Sequence, residues 1–110
     1  QDKLRKHIAL ARYIEEKIKT DDNFEIVTPA NFNLICFRFK PENITDNEKL
    51  NELNLQLLQK INNTGKIYLS HTRLKGIYTI RMTIGQTNVE QKYVDQAWTI
   101  IQEQSNSLKF

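Results

Sequence analysis

The sequence predicts an α+β fold, a mostly antiparallel four-stranded sheet carrying three helices in the order α-β-β-α-β-β-α. Three observations lead there. Three stretches repeat apolar residues at helical spacing, and four short runs are rich in β-branched and aromatic residues. The strand runs also come in adjacent pairs separated by turn-forming residues, which favours hairpins over the long crossovers of a parallel sheet.

In the first stretch, Leu4, Ile8, Ala11, Ile14 and Ile18 fall on one helical face, with basic and acidic residues between them. Thr20-Asp21-Asp22-Asn23 should end it, because these side chains compete for backbone hydrogen bonds. Phe24 to Val27 reads as a short strand ended by Pro29, and Asn33 to Lys40 as a second strand ended by Pro41. Thr45 and Glu48 have the spacing of a capping box, followed by the helical stripe Leu50, Leu53, Leu57, Leu58 and Ile61. Gly65 suits the left-handed turn that closes such a helix. Lys66 to Thr72 and Ile77 to Ile84 read as a hairpin turning near Gly76, which tolerates positive φ. Thr87 and Glu90 form a second capping-box pattern, before a helix whose face is Val94, Ala97, Trp98 and Ile101. The tail after Gln104 reads as frayed.

Residues 1–110 fit one domain, with 39% hydrophobic and 26% charged residues. The net charge of +3 is diluted by acids throughout, so composition gives no nucleic-acid footprint. The longest apolar run, Leu34 to Phe37, is far short of the ~20 residues of a membrane-spanning helix. A lone Cys36 within that run fits a reducing compartment, with the cytoplasm as the expectation. The only methionine is Met82, so the sequence reads as part of a longer chain.

Few residues point to chemistry. His7, His71 and Cys36 lack the short ligand spacings of a metal site, so no metal is expected. Cys36 sits between Ile35 and Phe37 and reads as a small buried hydrophobe rather than a nucleophile. No phosphate-binding glycine loop is present. Arg81 is different. Tyr78, Ile80, Met82 and Ile84 share one face of their strand, which leaves Arg81 on the other with Ile77, Thr79 and Thr83. Leu34, Cys36 and Arg38 are set the same way against Ile35, Phe37 and Phe39. An arginine among small and apolar neighbours offers a planar fork to a carboxylate or phosphate, or to an interdomain ion pair. Three short helices are too few to cover both sheet faces, so the far face is expected to dock onto another domain or chain unless the first helix crosses it.

The segments LRKHIALARYIEEKI, FEIVTP, NLICFRF and NNTGKIYLSHTRLKGIYTIRMTIGQTNVEQKYVDQAWTII resemble the C-terminal region of pyridoxal-phosphate-dependent group II amino-acid decarboxylases, in the aromatic (DOPA, tyrosine, tryptophan) branch. The resemblance implies the small C-terminal domain of a homodimeric type-I-fold carboxy-lyase that converts an aromatic L-amino acid to its amine and carbon dioxide. It implies partners as well: a large domain of the same enzyme, a second subunit and an amino-acid substrate, without nucleic acid or membrane. In that family a His-Lys lysine of the large domain holds pyridoxal phosphate. This chain has Lys6-His7 but no His-Lys, so catalytic and cofactor-binding residues are expected elsewhere and the 110 residues alone to be inactive. Arg81, in Ile80-Arg81-Met82, is the candidate for approaching the substrate carboxylate or for the domain junction, and His71 is assigned only to the hairpin. The alternative is a stand-alone interaction module whose open sheet face binds a partner protein.

Overall fold

The computed structural model describes residues 2–85 and 90–110, with side chains from Leu4 onward. Helix α1 (Asp2–Lys19) buries Leu10, Ala11, Ile14 and Ile18. The Thr20 hydroxyl donates to the Lys17 carbonyl at 2.6 Å, and Asn23 N–H donates to the Asp21 carboxylate at 2.9 Å, ending the helix where expected. Strand β1 (Phe24–Asn31) is longer than expected and runs through Pro29. It can do so because it is an edge strand whose register shifts between Ile26 and Thr28 and again before Asn31; a proline there removes no ladder bond that a central strand would need. A two-residue turn at Phe32 and Asn33 leads into β2 (Leu34–Phe39).

Helix α2 (Asn47–Asn63) starts one residue later than the Thr45/Glu48 pattern predicts. Asp46 is the N-cap, its carboxylate accepting from Lys49 N–H at 3.1 Å. Aspartate outranks threonine as a cap and adds a negative charge at the positive end of the helix. Asp46→Ala should therefore cost about 1 kcal/mol in a denaturant titration, whereas Thr45→Ala should leave the midpoint nearly unchanged. Gly65 closes the helix at φ +72°, as anticipated.

Strand β3 (Ser70–Leu74) begins later than predicted. The backbone before it is engaged by Asn62, whose side-chain oxygen accepts from Leu69 N–H at 2.8 Å and whose amide donates to the Leu69 carbonyl at 3.1 Å. Lys75 and Gly76 both have positive φ and turn the chain into β4 (Ile77–Thr83). In α3 (Gln91–Asn106), Glu90 is the N-cap and makes no side-chain cap bond, so it is not the third helical residue of a capping box. Thr87 lies outside the described residues. The tail is not frayed: Ser105 and Leu108 are buried, and the Phe110 ring meets Phe39 edge-on at 5.8 Å.

The sheet has the order β1-β2-β4-β3, every neighbouring pair antiparallel. All three helices pack on one of its faces. Their core contains Ala11, Ile14 and Ile18 of α1, Leu57 and Ile61 of α2, and Ala97, Trp98 and Ile101 of α3, with Ile35, Phe37, Ile80 and Met82 of the sheet. Phe24 sits at the aromatic centre, 5.1 Å from Trp98 and 5.4 Å from Phe39. Burying each such side chain contributes about 1.5–3 kcal/mol. Because α1 joins this layer, no helix among the described residues crosses the far face.

Candidate functional site

Strand register builds the far face. Cys36 pairs with Arg81 across β2 and β4, Thr28 pairs with Cys36 across β1 and β2, and Ser70 pairs with Arg81 across β3 and β4. Paired residues point to the same side, so Thr28, Cys36, Arg81 and Ser70 form a row across the sheet. Leu34, Asn31, Thr72 and Leu74 complete the walls of an open groove of about 280 Å³ around Arg81. The expectation that Arg81 stands among small and apolar neighbours, opposite the helices, holds.

The charge in this groove differs from the other charges that the fold holds in hydrogen bonds. Arg38, on the same face, is buried and bonded through Nε to Glu25 at 2.8 Å and through a terminal nitrogen to Asn47 at 3.1 Å. Glu15, 4% exposed, accepts from Ala30 N–H at 2.6 Å. Asp95 accepts from the Tyr13 hydroxyl at 2.6 Å and faces Lys17. Among the described residues no carboxylate pairs with half-buried Arg81. A guanidinium between threonine, cysteine and leucine side chains is set to receive an anion from outside the domain.

Cys36 is 5% exposed, and burial pushes its thiol pKa up, a shift that the positive charge of Arg81 partly opposes. A raised pKa keeps the thiol protonated, so at pH 8 the folded chain should react with iodoacetamide far more slowly than free cysteine; matching rates would contradict this burial. His71 is not brought to Arg81. It pairs with Ile80, on the helix-bearing side of the sheet, and stacks on Tyr78 with ring centroids 4.6 Å apart. Among the described residues no three histidine, cysteine or acidic side chains are grouped to hold a metal.

Two features escaped the sequence reading. Asn54 is fully buried; its side-chain oxygen accepts from Phe39 N–H at 2.7 Å, and its amide donates to the carbonyls of Phe39 at 2.9 Å and Leu50 at 2.8 Å. An asparagine four residues from both Leu50 and Leu58, inside an apolar stripe, was the available signal. The other is Phe32, 64% exposed at φ +54° on the β1–β2 turn.

No family model matches the chain. Tyrosine decarboxylase 4 of Petroselinum crispum is 40% identical over 108 residues, covering 96% of this chain and 21% of its own length. Phenylacetaldehyde synthase of Arabidopsis thaliana is 45% identical over 106 residues, with 96% and 21% covered. The crystal structure of Oryza sativa TDC with PLP and tryptamine superposes with a TM-score of 0.91 at 33% identity, over 96% of this chain and 23% of that one. Catharanthus roseus tryptophan decarboxylase in complex with L-tryptophan gives a TM-score of 0.90 at 38% identity, over 98% and 23%. The chain thus spans about a fifth of the length of the curated relatives it matches. It is homologous, over nearly its whole length, to one segment of plant aromatic amino-acid decarboxylases.

Proposed function

We propose that this chain, a homologue of one segment of the plant aromatic amino-acid decarboxylases, is the small domain of a pyridoxal-phosphate-dependent decarboxylase. The whole protein would release carbon dioxide from an aromatic L-amino acid and leave the amine. The observation that carries the reading is the TM-score of 0.90 at 38% identity to tryptophan decarboxylase, over 98% of this chain. The open sheet face supports it independently, as a surface shaped to meet a larger body.

The chain's own residues do not fit the cofactor. It has no His-Lys dipeptide, and the groove around Arg81 is lined by no lysine. Pyridoxal phosphate, which supplies an electron sink for the departing carboxylate's electrons, would be held by the large domain. What this domain would provide is a sheet face that excludes water from the junction and presents Arg81 beside the already paired Arg38. Arg81 either approaches the substrate carboxylate or ties the two domains together. A decarboxylase gains rate only from contacts that strengthen in the transition state, so a tight ground-state clamp on the carboxylate would not by itself serve it. A homodimer and a cytoplasmic setting belong to the same proposal. The first rests on the family alone, the second on the lone cysteine. No described helix is long and apolar enough to cross a membrane.

The test is carbon dioxide release from tyrosine, DOPA and tryptophan by the full-length protein with pyridoxal phosphate, beside the 110-residue chain alone. Turnover by the former and none by the latter is expected. Because the relatives include a protein named for an aldehyde product, amine and aldehyde should both be assayed. Turnover by the isolated chain, or none by the whole protein, would overturn the reading.

A further inference from the structure

We infer that Phe32 is a docking anchor, an aromatic side chain held out at the rim of the far face to enter an apolar pocket on the large domain. The inference rests on the small-domain reading above. Phe32 is the first of two residues in the β1–β2 turn and has φ +54°, whereas Asn33 keeps a negative φ; glycine is the preferred residue at such a first position. A bulky side chain in the left-handed region is strained, and strain of that kind persists where the surroundings impose it. Among the described residues no aromatic or cation contact engages the ring, which is 64% exposed.

The tip is also pinned. Asn33 donates its side-chain amide to the Ile84 carbonyl at 2.5 Å, and Ile84 N–H donates back to the Asn33 carbonyl at 2.8 Å. The turn that carries Phe32 is therefore held in place, which lowers the entropic cost of ordering its backbone on binding. Asn31 and Leu34, the residues on either side of the Phe32–Asn33 turn, both line the Arg81 groove, so anchor and groove form one continuous surface. Arginine and large aromatic side chains are the residue types that anchor protein interfaces. In the relatives about four-fifths of the chain lies outside the matched region, so a same-chain partner large enough to cover this surface is at hand.

Phe32→Gly separates anchor from strain, because the two predict opposite signs. In the isolated chain the substitution should raise Tm by about 4–8 °C, through relief of the turn. In the full-length protein it should lower Tm and speed proteolysis at the domain junction. A rise in both proteins would overturn the inference, as would a full-length protein unchanged in Tm and proteolysis. If the isolated chain does not fold, Phe32→Leu and Phe32→Gly are compared in the full-length protein. An anchor predicts that leucine keeps most of the junction's protection and glycine loses it; equal protection by both overturns the proposal. Concentration-dependent dimerisation of the isolated chain that Phe32→Gly abolishes would assign the ring to a second copy and also overturn it. Absence of decarboxylase activity from the wild-type full-length protein is a separate result, counting against the parent reading.

Discussion

Alanine in place of Asn54 is expected to remove about 3–5 kcal/mol of folding free energy, a large share of the 5–15 kcal/mol that holds a domain of this size together. Asn54 joins α2 to the end of β2 by satisfying both the N–H and the carbonyl of Phe39, at 2.7 and 2.9 Å, in a position with no solvent access. Truncation orphans both groups and opens a void beneath Phe39, a member of the aromatic cluster around Phe24. Asn54→Asp should restore only half of the interaction, since a carboxylate still accepts from the N–H but cannot donate to the carbonyl. Asn54→Leu should be nearly as damaging as alanine despite its apolar volume. Denaturant midpoints of the three variants decide the matter. A midpoint for Asn54→Leu at or above wild type would show that packing, and not the backbone bonds, fixes this junction.

Arg81→Ala in the full-length protein is expected to lower kcat/KM by about 10- to 100-fold, the equivalent of one charged hydrogen-bonded contact worth roughly 1.5–3 kcal/mol. Arg81→Lys should recover only part of it, because the ammonium keeps the charge and loses the planar fork. The two proposed roles separate by readout. If Arg81 faces the substrate carboxylate, kinetics fall while Tm holds. If it ties the domains together, Tm and junction stability fall with the kinetics. Full activity and unchanged Tm in both variants would remove Arg81 from either role. The structural premise is plain: Arg38, Glu15 and Asp95 each find a partner within the domain, and Arg81 finds no carboxylate among the described residues.

The strand alternation in Ile35-Cys36-Phe37 and Ile80-Arg81-Met82 was enough to place Arg81 and Cys36 on one face, because the period-2 rule is local and strict. The helix stripes were equally legible, being set by 3.6-residue spacing. Boundaries were less so. Asp46 displaced Thr45 as the cap by a margin of about 1 kcal/mol or less, too small for a spacing rule to resolve. The start of β3 depended on Asn62 capturing Leu69, and the ordering of the tail on Phe110 meeting Phe39, 71 positions away in the chain; no local pattern reveals such contacts. The continuation of β1 through Pro29 depended on that strand lying at the sheet edge, a property of topology. The groove followed the same division. Cys36 and Arg81 were readable, but Thr28 and Ser70 joined them only through the register of β1 and β3, and the groove's openness required knowing that α1 joins α2 and α3 on the opposite face.

The most direct test of the central claim is the intact mass of the native protein that carries this chain, read together with the sequence upstream of Gln1. The account predicts a polypeptide about five times as long, since the chain spans 21% of tyrosine decarboxylase 4, with a His-Lys site in the part that precedes it. A native chain that begins near Gln1 would contradict the decarboxylase reading and leave a stand-alone module whose sheet face binds a separate protein.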